Sequence, residues 1–466
     1  MMDLSNSLTL LLTIIIFFTS AILMGKKLEY LRVLLLVIII GTFQGIANLL
    51  FNVQSELLFL KYGLLFLCYF FFLIKFLLNE PKISYSLKNY ILLYIIFIGL
   101  FSVMVLNSID ITHKTIDFPN LRLTIANWSL LNIPVVFIIV FGIKKLDTVY
   151  KFLKLILVIG IFASAIGVLQ YLIRYGNLYN LGLNVKEVPF ALLSQGNTIF
   201  FRVFSIFPTH YEFASFLVLS MLSQIILQTQ KLKKFPISQG IFYILQLIAL
   251  GLTFNITLWI LFILIKLALL LTSKIHNLEG LREAVIKTFI FDLLLFAIII
   301  LFIPAIRERF LGIFKSSGIA RSSINSRLFI SKNTIEYIFK APFGLGIYTF
   351  ERINSMGKSL YITTDTYFLW LILQGGIFLF ISYLLLFLFP LVLSYKKRNY
   401  IEVHNRPLFY TIWLWILIVV VIGGVSNSAT LIDTPTNLIV FSGIGLLFRM
   451  TASNSASLTY QIQNQP

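Results

Sequence analysis

The sequence predicts an all-α polytopic membrane protein with about 12–14 spanning helices. Three observations carry that prediction. Of the 466 residues, 59% are hydrophobic and only 12% are charged, and the mean hydropathy is +0.95. Soluble domains average about 45–50% apolar and about 25% charged residues, so no water-soluble fold of this length hides so much apolar surface. The apolar residues also fall in runs of about 18–22, the length that crosses a hydrocarbon core of roughly 30 Å. These runs are continuous rather than alternating, which excludes a β-barrel. Finally, the excess positive charge, +19 overall, flanks the runs. It therefore reads as membrane topology and not as nucleic-acid binding.

Along the chain the expected spans are 4–24, 32–51, 57–78, 89–107, 125–143, 152–173, 210–230, 237–253, 255–272, 285–304, 366–390, 408–427 and 434–450. The first is expected to be a retained span rather than a cleaved signal. Asp3 and no Lys or Arg precede it, whereas Lys26 and Lys27 follow it. The pair at 237–253 and 255–272 has almost nothing polar between its members. The single cysteine, Cys68, sits inside an apolar run, so no disulfide framework forms within the chain.

Alternate loops hold the basic residues: Lys26, Lys27 and Arg32; Lys82 and Lys88; Lys144, Lys145, Lys151 and Lys154; Lys231, Lys233 and Lys234; Lys274, Arg282 and Lys287; Lys396, Lys397, Arg398 and Arg406. This alternation predicts those loops in the cytoplasm, the N-terminus outside and the C-terminus inside. The chain then divides into an N-terminal bundle (1–304), a large basic extracytoplasmic loop (305–365), C-terminal spans (366–450) and a polar cytoplasmic tail (451–466). The large loop breaks the bias that the other loops obey. It holds Arg307, Arg309, Lys315, Arg321, Arg327, Lys332, Lys340, Arg352 and Lys358, and an anionic ligand would compensate for that charge. Within it, residues 326–340 place apolar side chains at near-helical spacing, which predicts a short amphipathic helix.

Soluble-enzyme signatures are missing: there is no P-loop, no Rossmann glycine fingerprint, no His-Glu-x-x-His and no paired acidic metal motif. Chemistry is expected to come from Arg, Lys, His and isolated carboxylates, without metal or cofactor. Three segments concentrate such residues. The first, Arg202-Val203-Phe204-Ser205-Ile206-Phe207-Pro208-Thr209-His210-Tyr211-Glu212, enters a span, with Pro208 placed to start the helix. Arg202, His210 and Glu212 are its candidates, against the plainer reading of a snorkelling arginine and a helix-start carboxylate. The second carries Arg321 and Arg327 and ends in Ala341-Pro342-Phe343-Gly344-Leu345-Gly346. Here the plainer reading is a solvated basic face and a helix stop. The third runs from Thr364-Asp365-Thr366-Tyr367 into a span containing Gln374-Gly375-Gly376-Ile377. A cap is the plainer role for Asp365. Intramembrane Lys61, Lys75, Lys266 and Asp292 are candidates for an ion path, but the three lysines lie close enough to span ends to snorkel, which leaves Asp292 as the one hard to dismiss and a thin basis for a transporter.

In this order and spacing, over about residues 195–385, the three segments resemble the O-antigen polymerase and ligase superfamily. The Arg202 segment is similar to its arginine-bearing outer loop and following helix. Arg327 through Gly346 is similar to its stretch of an arginine followed by P-x-G-x-G. Asp365 through Gly376 is similar to the helix entry that closes its large periplasmic loop. Thr364 and Asp365 stand where ligases carry a histidine, and Thr253-Phe254-Asn255-Ile256-Thr257 has no arginine where the family has a Ser-Arg pair. Both departures favour a polymerase over a ligase.

The resemblance implies a GT-C-like glycosyltransferase in the bacterial inner membrane. It would join oligosaccharide repeat units carried on undecaprenyl pyrophosphate at the extracytoplasmic face. Arg202, Arg321 and Arg327 would hold the pyrophosphate, with Glu212, Asp365 or His210 as base. Membrane lipids, a flippase and a chain-length regulator are the partners implied. A ligase of the same superfamily and a flippase or other transporter of the lipid-linked glycan are the alternatives; a flippase is expected to show two similar halves and no long basic outer loop.

Overall fold

The computed structural model describes residues 30–51, 54–79, 83–107, 121, 124–125, 128–143, 146–173, 192–195, 198–229, 237–302, 307, 341–346, 367–423 and 435–452. They form α1 (Tyr30–Phe51), α2 (Gln54–Asn79), α3 (Tyr85–Asn107), α4 (Val135–Gly142) and α5 (Asp147–Ile173). A hairpin of β1 (Leu192–Gln195) and β2 (Thr198–Phe201) follows. Then come α6 (His210–Thr229), α7 (Ile237–Leu252), α8 (Ile256–Ile275) and α9 (Glu279–Phe302), and after them α10 (Tyr367–Lys396), α11 (Arg406–Ile418) and α12 (Thr436–Thr451). Each helix falls on one of the expected apolar runs. The run at 4–24, the amphipathic segment 326–340 and the tail beyond Ala452 lie outside the described residues.

Seven of the described helices are long and apolar enough to cross a membrane, and three shorter apolar helices accompany them. Helices suit that environment because every backbone polar group is satisfied within the segment. Their apolar residues divide by face. On α2, Phe66, Phe70, Leu73 and Leu77 are exposed at spacings of four, three and four, forming one stripe, while Leu60, Leu64 and Cys68 are buried behind it. Two helices are buried nearly all round: α6 from Glu212 to Ile226, and α12 at every residue but Arg449. Of these, α6 is the central helix, packed by α5, α7, α8, α9, α11 and α12.

The basic loops converge on one end of the bundle. Lys397 Nζ donates to Ser86 Oγ at 3.1 Å, and Tyr150 OH donates to Asn405 Oδ1 at 3.2 Å. Arg449 Nε donates to the Ile143 carbonyl at 2.9 Å, and His276 stacks on Tyr410 with ring centroids 4.6 Å apart. Partial burial, followed by the charges of Arg398 and Arg406, pushes the His276 imidazole below its ordinary range. Segments 84–88, 146–154, 274–287 and 396–406 therefore share this basic end, as the alternation of charge requires.

The architecture is all-α as expected, and the structure departs from the sequence reading at five places. A short hairpin is not among the expected elements: β1 and β2 pair antiparallel, Leu192 with Phe201 and Gln195 with Thr198. Gly196-Asn197 between two apolar stretches is the signal that could have revealed this hairpin. The run 125–143 is not one helix. Residues 128–134 form turns, Ser129 is left-handed at φ 56°, and the eight residues of α4 reach only about 12 Å. Pro208 does not open α6. The helix begins at His210, and Thr209 Oγ1 accepts from Glu212 N at 3.2 Å as its cap.

Lys61 and Lys266 do not snorkel. Lys61 is buried and donates to Gln44 Oε1 at 3.3 Å. Lys266 on α8 is fully buried against Asp292 on α9, and Tyr243 of α7 donates to the same carboxylate at 2.7 Å. Asp292 thus has a charged partner, supplied from a neighbouring helix. Last, α10 does not run straight into a span. In a continuous helix Tyr367 and Tyr383 would stand about 24 Å apart along the axis; their hydroxyls are 3.2 Å apart. The chain folds back at Gly376, whose φ of 75° and ψ of 174° are not helical.

Candidate functional site

Residues 202–207 are all buried, although they lie in the connection between β2 and α6. Buried loop backbone needs partners, and α5 supplies most of them. Gln170 of α5 accepts from Ser205 N and donates to Ser205 O, each at 2.8 Å, while Ser205 Oγ donates to the Ala163 carbonyl at 2.5 Å. These bonds hold Ser205 in the left-handed conformation at φ 55°. Val203 N donates to the Leu252 carbonyl at 3.3 Å, which ties the segment to the turn between α7 and α8. From α1, Gly45 lies so close that an added Cβ would meet the Phe207 carbonyl oxygen at 1.9 Å.

This strapping sets Arg202 against His210. Arg202 is 7% exposed, His210 1% and Glu212 4%. Arg202 Nη1 lies 2.9 Å from His210 Nε2. A guanidinium only donates, so Nε2 accepts and the ring proton resides on Nδ1. In this arrangement the imidazole is neutral and orients the arginine; its lone pair is not available to take a substrate proton. Glu212 occupies the third position of α6, near the positive helix end. Burial overturns the snorkelling reading for Arg202, whereas a helix-start carboxylate describes the position of Glu212 well.

The turn at 253–255 belongs to the same neighbourhood. Phe254 is left-handed at φ 52°, and Asn255 caps α8 by accepting from Leu258 N at 3.3 Å. Among the described residues, the buried Arg202 Nε and Asn255 Nδ2 have no hydrogen-bond partner. Two unsatisfied donors on segments joined by the Val203–Leu252 bond suit an anion. Sequence reasoning treated Asn255 only as part of a degenerate match. Its type, an amide at the break between two apolar runs, was the available signal.

A second assembly forms on α10. Leu345 N donates to the Leu373 carbonyl at 2.8 Å, Gly346 N to the Gln374 carbonyl at 2.9 Å, and Ile377 N to the Pro342 carbonyl at 3.0 Å. The stretch 341–346 thus docks on the bend of α10. A Cβ on Gly376 would meet the Pro342 carbonyl oxygen at 2.1 Å, and one on Gly344 the Gln374 carbonyl oxygen at 2.3 Å. Both glycines are therefore structural. Behind them, Gln374 accepts from Trp128 Nε1 and donates to Thr124 Oγ1, each at 3.0 Å. Ser129 joins Tyr383 at 3.1 Å and accepts from Asn437 Nδ2 at 2.8 Å. This network pins α10 to the turns at 128–134 and to α12.

Two of the three sequence segments are thereby tied into one assembly by their glycine-rich parts, and the first forms a site of its own around Arg202. Arg321, Arg327 and Asp365 lie outside the described residues. Among the described residues no three His, Cys, Asp or Glu side chains converge as metal ligands would. No protein-family model, no curated protein and no solved structure matches the chain.

The docked glycines give a direct expectation. Gly376→Ala forces an alanine into a region used almost only by glycine, a strain of about 1–3 kcal/mol, and pushes its Cβ into Pro342. The variant should melt at lower temperature and expose 341–346 to limited proteolysis. Unchanged melting and unchanged cleavage would contradict the docking.

Proposed function

We propose that this protein is a membrane glycosyltransferase that polymerises lipid-pyrophosphate-linked oligosaccharide repeat units at the outer face of the bacterial cytoplasmic membrane. The observation that carries this reading is the buried Arg202–His210 contact, on a segment strapped between helices, with Arg202 Nε and Asn255 Nδ2 left to meet an anion. In the reaction, an acceptor sugar hydroxyl attacks the anomeric carbon of the growing chain and the lipid pyrophosphate departs. The leaving group gains negative charge. Preorganised donors in a site that excludes water stabilise such charge strongly; in this reading Arg202 takes that role, with Arg327 and Arg321 as its expected companions. His210 acts as a positioning residue through its acceptor nitrogen.

The acceptor hydroxyl loses its proton to a carboxylate, Glu212 or Asp365. Of Glu212→Gln and Asp365→Asn, one should eliminate turnover while lipid-linked substrate still binds. Glu212 is the favoured one. If both variants polymerise at the wild-type rate, a protein carboxylate is not the base. Because the arginines carry the leaving-group charge in this scheme, turnover should also persist in excess chelator, and a strict requirement for added divalent metal would contradict it.

One observation favours a transporter instead: the buried Lys266–Asp292 pair, since intramembrane charges often mark ion paths. The space bordering Asp292 is about 30 Å³, room for about one water and not for a glycan. Cells lacking the protein separate the two readings. Loss of a polymerase leaves surface glycans of a single repeat, whereas loss of a flippase leaves none.

A further inference from the structure

A cavity of about 270 Å³ lies between α1, α4, α5, α6, α11 and α12, and no residue of the Arg202–Glu212 segment lines it. Its walls are apolar, with Leu222 and Ile226 of α6, Trp415 of α11 and Ile439 of α12 among them. Its rim carries Arg32 and Lys151, both exposed, near the starts of α1 and α5. That rim belongs to the end where the basic loops gather.

Such a space suits neither water nor a sugar. A buried water needs two to four polar partners, and the hydroxyls of Ser223, Thr411 and Ser442 that line these walls already donate to carbonyls of their own helices. Walls facing nothing lose their dispersion contacts. The material that satisfies both the walls and the rim is an apolar chain with an anionic head, and Lys and Arg at a bilayer surface attract anionic headgroups.

We propose that this cavity holds an acyl chain of an anionic phospholipid, with the lipid phosphate at Arg32 and Lys151. The site stands at the end of the bundle opposite the arginine site, so the lipid is a resident of the other leaflet and not the glycan carrier. The inference rests on the helices crossing a membrane and is independent of the polymerase reading.

Trp415 is 3% exposed yet lines the cavity, which makes it a reporter shielded from bulk lipid. The full-length protein is placed in nanodiscs whose phosphatidylglycerol or phosphatidylcholine carries brominated acyl chains. The emission attributable to Trp415 is the difference between wild type and Trp415→Phe. Brominated phosphatidylglycerol should quench that component at least twofold more than brominated phosphatidylcholine. In Arg32→Gln/Lys151→Gln the two lipids should quench equally. Should that variant fail to fold, wild type gives the same answer by competition: unbrominated phosphatidylglycerol restores the emission and phosphatidylcholine does not. Equal quenching of wild type by both lipids, which would indicate a neutral chain or the isoprenoid carrier, overturns the proposal. So does the absence of quenching by either.

Discussion

Arg202→Ala should abolish long polymer while the protein remains folded in the membrane. Removing one preorganised donor to a developing negative charge typically lowers rate by about 10²–10³, or about 3–4 kcal/mol. Arg202→Lys should do little better, because an ammonium cannot reach His210 and also present a second donor in the guanidinium plane. His210→Gln keeps an acceptor for Arg202 and should be milder than His210→Ala, a rescue that a general base at this position would not show. Arg327→Ala should match Arg202→Ala if both hold the pyrophosphate. The readout is the surface-glycan ladder, with the melting temperature of each purified variant as the control for folding. Long polymer at normal levels in Arg202→Ala would remove the arginine from the mechanism.

Asp292→Asn is expected to have the largest effect on stability. It leaves the Lys266 ammonium fully buried without its carboxylate. Breaking a buried pair by removing one partner typically costs about 3–5 kcal/mol, whereas replacing both with apolar residues of similar volume is often neutral or stabilising. The double variant Lys266→Met/Asp292→Leu should therefore melt close to wild type, and each single variant far below it. The same double variant tests transport. If glycan polymerisation survives it, the pair serves packing of α7, α8 and α9; if an ion-coupled activity disappears with normal melting, the pair has a transport role.

The sequence made the helices legible because a bilayer imposes a length, and apolar runs of that length leave little choice of secondary structure. It also made the sorting of charge legible. The loops around Lys88, Lys151, Lys274 and Arg406 do meet at one end. Interior breaks were harder to see. Gln374-Gly375-Gly376 is a short break in a long apolar run, and average hydropathy over the run does not distinguish a spanning helix from one folded on itself. The partner of Asp292 was hidden for a different reason. Lys266 is 26 positions away on another helix, and periodicity along one helix carries no information about which neighbour it meets. At the candidate site the residue types were visible, but their burial was not. Arg202 is enclosed because Gln170, Leu252 and Gly45, distant in sequence, strap its loop into the bundle.

The most direct test of polymerase activity is reconstitution. Purified protein in nanodiscs, supplied only with a lipid-pyrophosphate-linked single repeat unit, should produce a ladder of products at integer multiples of that unit. It should release one undecaprenyl pyrophosphate per bond formed, and Arg202→Ala should stop both. A preparation that is folded and binds the substrate, yet leaves it as single units or merely carries it across a bilayer, would contradict the account.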